Sequence, residues 1–435
     1  MSINLGLQRI EKLLQRLRNP EKTFKVFHVG GTNGKGSTCA YLSSILTQSS
    51  LVTGRFTSPH LLEARDSVTI NDKAVSSRLF WDAYELVQRN NYDIQASNFE
   101  LLTATAFEIF NRKKVDVAVI EVGLGGAQDS TNVEYKVGEK LATIITRIGM
   151  DHQLFLGDSI AKISMEKAGI IRKGVPCVVD GTNVPEVIKA LQAAVDNKYT
   201  KSELSLVDRQ QLQSRLGNTG FEQIFFDTAS FGAINLSRSP LNGEYQHMNL
   251  ACALRALDLT HKSLPTITRG SIEAGIDKVS WPGRLQIIDS KIFTGQDSEL
   301  PVLLDGAHNP QAAEALNNFV VNLRAQSADG SITWVISLSG DRDPNDIFPI
   351  LLRPGDRVYP AVFGPVEMMP WVRPKNMNEL ALSAAKIVQQ ENIWMRYGTK
   401  TEVITEACTH GAPVVIAGSL YLVSDVLQEL QLRES

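Results

Sequence analysis

The chain has 435 residues, 43% hydrophobic and 21% charged, which excludes a disordered or fibrous protein and, at this length, a single ordinary core. Its 44 basic and 47 acidic residues leave a formal charge of −3 with no long basic run, which excludes a nucleic-acid or membrane-surface footprint in the composition and points to small-molecule partners. Four scattered cysteines (Cys39, Cys177, Cys252, Cys408) without C-x-x-C spacing predict reduced thiols, with neither a disulfide nor zinc.

In chain order, Leu7, Ile10, Leu14 and Leu17 recur at helical spacing, with Glu11 breaking the apolar stretch a signal peptide would need. No targeting or transmembrane segment is legible, so a cytoplasmic location is expected. FKVFHV (24–29) reads as a strand, GTNGKGS (31–37) as a glycine loop, and STCAYLSSIL (37–46) as a helix. VDVAVIEV (115–122), LATIITRI (141–148) and VPCVVD (175–180) are nearly continuous apolar runs, as expected of parallel strands covered on both faces. The stretch 202–240 has a weak pattern and is expected to hold small strands near a domain edge. After WPGR (281–284) a second alternating set begins: PVLLD, a helix from Pro310, ITWVISL, a helix near Ile347, RVYPAVF, a helix from Asn378, and PVVIAGS. The expected fold is α/β: a mostly parallel sheet domain carrying a phosphate loop over 1–284, then a smaller Rossmann-like α/β domain over 285–435. A hinge at Pro282 and Gly283 places the expected active site at their junction.

Strand, glycine loop and helix form the layout of a phosphate-binding loop. Glycines at 30, 31, 34 and 36 allow tight turning, so that backbone N–H groups and the helix start can face an anion. Lys35 would supply the point charge for the outer phosphates. Against the template G-x-x-x-x-G-K-[ST] the match is imperfect, because Gly36 separates Lys35 from Ser37; the plain alternative is a glycine turn with an exposed lysine. Glu121, a carboxylate ending a Val/Ile run, would be costly to bury without a cation or donors, although a hydrogen-bonded core glutamate answers the same pattern.

GTNGKGS, TSPHL (57–61), EVGLGG (121–126), DHQLFLG (151–157), EKAGI (166–170), WPGR, DGAHNP (305–310) and GSLYL (418–422) follow the order found in the folate branch of the Mur ligase family. The chain resembles its dihydrofolate synthases and folylpolyglutamate synthases over nearly its whole length. NLGLQRI (4–10), LNGEYQ (241–246) and MPW (369–371) look more like the monofunctional fungal dihydrofolate synthases.

The resemblance implies an ATP-dependent ligase that activates a pterin-linked carboxylate as an acyl phosphate and couples it to L-glutamate. Gly31, Thr32, Asn33, Gly34, Lys35, Gly36 and Ser37 fall on the family's phosphate loop, and Ser58, Glu121 and His152 on its magnesium-ligand positions. Lys167 falls on a lysine that is often carbamylated in the family and then helps to hold a second ion, so two Mg2+ ions are expected. Carbamylation requires the neutral amine and hence a lowered pKa. Asn249 falls on the adenine position; Arg284, Asp305 and His308 match nucleotide contacts, with Arg284 stabilising the transferring phosphoryl group. Read alone, Arg284 is a surface residue, and Asp305, Gly306 and Asn309 build a turn. Phe99, Asp129 and Asn132 are assigned to pterin or loop organisation; Phe99 is equally a core aromatic at a helix start. GDRD (340–343) resembles the family's Asp-Lys-Asp turn with Arg342 in place of lysine.

One departure stands out. Where the family continues R-L-D-A-T-N after EVGLGG, this chain has Ala127, Gln128, Asp129, Ser130, Thr131 and Asn132, and the arginine is missing. The expected partners are dihydropteroate or a reduced folate, L-glutamate and ATP, with no nucleic acid, no membrane and a monomeric chain. Folylpolyglutamate synthesis and a catalytically inactive nucleotide-binding paralogue are the alternatives.

Overall fold

A computed structural model describes residues 6–136, 138–196, 202–216, 222–297 and 300–434; Asn4 and Leu5 of the NLGLQRI block and residues 217–221 of the weakly patterned stretch lie outside these. The chain forms two compact units. The first comprises residues 1–60, 65–240 and 244–281, and the second comprises 61–64, 241–243 and 282–435.

The first unit is built on β1 (Lys25–Gly30), β2 (Thr53–Phe56), β3 (Val68–Ile70), β4 (Lys73–Ala74), β5 (Val117–Glu121), β6 (Lys140–Ile145), β7 (Cys177–Asp180) and β8 (Leu204–Val207). Among the described residues these form an eight-stranded sheet in the order β4-β3-β2-β5-β1-β6-β7-β8. From β2 to β8 every pair is parallel, and β3 and β4 add an antiparallel edge. The central strands are buried on both faces, which is why their sequences run apolar rather than alternate. The register pairs Val29 with Glu121, so the carboxyl ends of β1 and β5 emerge side by side, the end of a parallel sheet where ligands bind.

The helices of this unit are α1 (Gln8–Arg16), α2 (Lys35–Gln48), α3 (Ser77–Asn90), α4 (Asn98–Arg112), α5 (Gln153–Leu156), α6 (Ile160–Ala168), α7 (Pro185–Asp196), α8 (Tyr245–Thr260) and α9 (Arg269–Lys278). Ser37 through Leu46 are all buried, because α2 packs on β2 and β5 and also on α8 and α9. That burial explains why its sequence has no polar face. Gly275 lets α9 approach: a Cβ there would lie 2.5 Å from Ile45 Cα. The start of α4 is fixed by a capping box, with Ser97 Oγ accepting from Glu100 N and Glu100 Oε2 accepting from Ser97 N at 2.7 Å. In the weakly patterned stretch, β8 extends the large sheet, while β9 (Leu212–Leu216), β10 (Glu222–Thr228) and β11 (Gly232–Asn235) form an antiparallel sheet. Its strands are mostly exposed or half-buried, so little apolar periodicity was required of them.

The second unit holds β12 (Gln286–Ile288), β13 (Val302–Leu304), β14 (Thr333–Ile336), β15 (Arg357–Pro360) and β16 (Val414–Ala417) in the order β12-β13-β16-β14-β15, all parallel except β12. Its helices are α10 (Lys291–Thr294), α11 (Pro310–Arg324), α12 (Pro344–Leu351), α13 (Met377–Ala384), α14 (Lys400–Ala407) and α15 (Leu420–Glu434). Asn309 caps α11 by accepting from Ala312 N at 2.9 Å, and Pro310 occupies the first helical position, where its missing N–H is harmless. The four cysteines are free, and no described helix is long and apolar enough to cross a membrane.

Candidate active site

The loop from Gly31 to Ser37 leaves the end of β1 and enters α2. Two of its amides are already engaged: Thr32 N and Asn33 N donate to Arg147 O at 2.9 and 3.0 Å, which fixes the loop to the segment after β6. The amides of Thr32 and Asn33 are thereby committed to anchoring the loop itself. The amides from Gly34 through Ser37 lie at the start of α2, where helix geometry leaves donors without intrahelical partners. The glycines also serve close approach. A Cβ on Gly34, whose φ is +92°, would lie 2.3 Å from Asn249 Oδ1, and one on Gly36 would lie 2.6 Å from the Trp281 ring. Asn249 is therefore packed against the loop, and its Nδ2 donates to Gln246 Oε1 at 2.9 Å.

Lys35, the first residue of α2, donates to Thr32 O at 3.1 Å, and its Nζ lies 3.7 Å from Glu121 Oε1. The other carboxylate oxygen of Glu121 accepts from Ser58 N at 3.3 Å. The buried Glu121 thus has both a cation and a donor, which is the condition its burial imposes. Lys167, near the end of α6, donates to Gly31 O at 2.7 Å. Burial, reinforced by the nearby charge of Lys35, lowers its pKa from the ordinary lysine value to about 7. Lys35, Ser58, Glu121 and Lys167 therefore gather around one loop.

His152 sits at the start of α5 with φ +51° and a half-exposed ring, its backbone N donating to Asp151 Oδ1 at 2.7 Å. Among the described residues no three His, Cys, Asp or Glu side chains cluster as a metal cage. Of the three expected metal-ligand positions, the buried carboxylate of Glu121 carries the hard oxygen donors that magnesium prefers, and an ion held by one carboxylate keeps waters and takes its remaining oxygens from substrate phosphates.

The segment after Glu121 is tied down by its own polar residues. Asp129 Oδ2 accepts from Leu124 N at 2.8 Å, and Oδ1 accepts from Thr131 N at 3.0 Å and Thr131 Oγ1 at 2.5 Å. Asn132 Nδ2 donates to Ala127 O and Gly169 O, both at 3.0 Å, and Asn132 Oδ1 accepts from Arg172 at 2.6 Å. Where the missing arginine would stand, Ala127 N donates to Glu166 O at 2.9 Å, and Ala127 leaves so little room that a Cβ on Gly169 would meet it at 2.3 Å. Phe99, at the start of α4, stacks on Phe56 with centroids 5.9 Å apart and covers Gly123.

In the second unit, Asp305 follows β13 and is buried. Its oxygens accept from Leu285 N and Ala307 N, both at 2.8 Å, and burial raises its pKa. Arg284 Nη1 donates to Gly283 O at 3.0 Å, and His308 Nδ1 lies 2.8 Å from Gly306 O. Asp305 therefore builds the turn that presents Arg284 and His308. Arg342 of the GDRD turn lies 3.8 Å from Asp341. The sequence reading missed His28, Lys140, Arg172 and Trp281. A histidine inside FKVFHV and a lysine opening KLATII were the available signals, since polar groups in buried strands need partners; Trp281 was read only as part of a linker.

Two family models match: the Mur ligase middle domain over residues 29–257 and the dihydrofolate synthetase C-terminal domain over residues 286–429. The chain is 39% identical to a probable dihydrofolate synthetase of Schizosaccharomyces pombe, covering 99% of this chain and 100% of that protein. It is 38% identical to the dihydrofolate synthetase of Saccharomyces cerevisiae, covering 98% of each. Among solved structures it is similar to a folylpolyglutamate synthase of Mycobacterium tuberculosis complexed with ADP and AMPPCP (TM-score 0.81, 26% identity, covering 98% of this chain and 95% of that one). It is also similar to E. coli FolC in complex with DHPP and ADP (TM-score 0.80, 26% identity, covering 100% and 95%). Phosphate loop, buried Glu121 and both matched domains agree: the chain belongs to the Mur ligase family, in its dihydrofolate synthetase and folylpolyglutamate synthase branch.

Proposed function

We propose that the chain is an ATP-dependent ligase that joins L-glutamate to dihydropteroate, giving dihydrofolate, ADP and phosphate. The carboxylate oxygen of dihydropteroate takes the terminal phosphoryl group of ATP and ADP leaves. The glutamate α-amine then attacks the acyl carbon, the bond to the phosphate oxygen breaks, and the amine gives up a proton. The observation that carries this reading is the cluster at the carboxyl ends of β1 and β5, where Lys35 faces Glu121 at 3.7 Å and Lys167 binds Gly31 O at 2.7 Å. A mobile triphosphate needs that arrangement: point charge, helix-start amides and a carboxylate able to hold a cation.

Lys35 and the amides from Gly34 to Ser37 bind and orient the phosphates. Ser58, Glu121 and His152 would hold Mg2+, which when bound neutralises phosphate charge. Carbamylated Lys167 would carry the negative charge for a second ion, and its lowered pKa provides the neutral amine that reacts with CO2. Asn249, Arg284, Asp305 and His308 are proposed as nucleotide contacts, and Phe99, Asp129 and Asn132 as organisers of the pterin end. The 38% and 39% identities to fungal dihydrofolate synthetases support dihydropteroate as acceptor.

The test is purified protein with Mg-ATP, L-glutamate and either dihydropteroate or tetrahydrofolate, reading phosphate release and product mass. Turnover of dihydropteroate is expected. Turnover of tetrahydrofolate alone would assign folylpolyglutamate synthesis, and silence with both despite ATP binding would leave a nucleotide-binding paralogue.

A further inference from the structure

Beneath the site runs a chain of buried polar groups that no step of the proposed reaction uses. Lys140, the first residue of β6, has its Nζ 2.7 Å from Ile170 O and 3.0 Å from His28 Nδ1. His28, in the middle of β1, has its Nε2 2.9 Å from Thr131 Oγ1, and that hydroxyl lies 2.5 Å from Asp129 Oδ1. His28 and Thr131 are fully buried, and Lys140 is 8% exposed.

The direction of each bond follows by elimination. The Asp129 carboxylate only accepts, so Thr131 Oγ1 must donate to it. Thr131 must then accept from His28, which puts the ring hydrogen on Nε2 and leaves Nδ1 as acceptor. Nδ1 and Ile170 O can then only accept, so Lys140 donates to both. Burial pushes both the Lys140 and the His28 pKa well down, toward a neutral amine and a neutral imidazole, and an amine carries the two hydrogens that its two acceptors require.

The chain joins three segments. His28 lies on the strand that feeds the phosphate loop; Thr131 and Asp129 lie on the segment that begins at Glu121; and Ile170 follows the helix bearing Lys167. The geometry points to Lys140, His28 and Thr131 as positioning residues that hold these three segments in register for ligation. This builds on the ligase reading. The three residues are buried, and the role assigned to them passes through Asp129 and the turn after α6.

The experiment compares wild type with Thr131→Val, Lys140→Met, His28→Phe and His28→Gln. It reads thermal stability, steady-state kinetics with dihydropteroate, amide exchange over residues 123–132, and 15N spectra of the histidine rings. A misplacement of reacting groups by about an ångström can lower rates on the order of a hundredfold. Folded Thr131→Val is therefore expected to lose roughly tenfold or more in kcat, with KM for ATP unchanged and faster exchange over 123–132. His28→Gln should retain most of the activity, because its amide can accept from Lys140 and donate to Thr131, whereas His28→Phe can do neither. In wild type one histidine, absent from the His28→Gln spectrum, should stay in the Nε2–H form across roughly pH 5 to 8, where an ordinary histidine titrates. Wild-type kcat and exchange in folded Thr131→Val, or normal titration of His28, would overturn the inference. If wild type lacks ligase activity, the functional reading fails by itself. Exchange over 123–132 then decides the network: faster in Thr131→Val supports it, unchanged overturns it.

Discussion

Lys35 Nζ stands 3.7 Å from Glu121 Oε1, so the lysine proposed for the phosphates is paired with the carboxylate proposed for the metal. Each group lowers the cost of the other's partial burial. Lys35→Ala should reduce turnover by about a thousandfold, the scale seen on removing a group that stabilises developing charge. The protein should remain folded, since Glu121 keeps the Ser58 amide. Phosphate release together with a melting curve checks both; near-normal turnover would remove Lys35 from the mechanism.

Gly34 is a constrained position of the loop. Its φ of +92° is poorly tolerated by side chains, and a Cβ would sit 2.3 Å from Asn249 Oδ1. Gly34→Ala should therefore weaken nucleotide binding by at least tenfold while costing about 1–3 kcal/mol of stability through local strain. Titration with a fluorescent ATP analogue, beside a denaturant curve, separates the two effects. Unchanged affinity would mean that Asn249 moves aside freely.

The sequence made the central parallel strands and the phosphate loop legible for one physical reason: strands covered on both faces must be apolar throughout, and FKVFHV followed by GTNGKGS allows few other readings. It left β9, β10 and β11 obscure because their faces are mostly exposed or half-buried and carry little pattern. Glu121 could be singled out because a carboxylate closing a buried run needs a partner, and Lys35 is that partner. What local sequence could not reveal was pairing at long range. Thr32 and Asn33 give their amides to Arg147 O, and the turn of Asp305 serves its own backbone; neither follows from spacing.

In the second unit Asp356, fully buried, accepts from Arg324 through both oxygens, from Trp334 Nε1 at 2.9 Å, and from Ile332 N and Arg353 N at 3.0 and 2.8 Å. One carboxylate satisfies donors from α11, β14 and the turn before β15. Asp356→Ala leaves the Arg324 guanidinium without its carboxylate, with only the backbone oxygens of Gly330 and Leu351 in reach, and takes from the Trp334 ring N–H its acceptor. It should destabilise this unit by about 3–5 kcal/mol, the range for breaking a buried ion pair from one side. Because two units need not unfold together, calorimetry should show one transition moving down while nucleotide binding to the intact protein persists. A shift below about 1 kcal/mol, the scale of an exposed pair, would refute the hub.

Lys167 supplies the pH test. With its folded pKa near 7 and the unfolded value at that of an ordinary lysine, both states are protonated below about pH 7, and the penalty for burying the charge is present in full. Above that, the folded protein holds a neutral amine while the unfolded chain still binds a proton, so stability should rise with pH across the window between the two values. The same neutral amine attacks CO2. A carbon–nitrogen bond forms, the amine proton is released, and a carbamate anion remains. In 13C-bicarbonate a carbamate resonance should therefore appear and grow as pH rises through about 7, and should be missing from Lys167→Met. The variant should also lose the added stabilisation at alkaline pH, because no titrating group replaces the lysine. A carbamate signal of equal size in Lys167→Met would place the modification elsewhere, and no signal in wild type at any pH would end the carbamate assignment while leaving the hydrogen bond to Gly31 O as the role of Lys167.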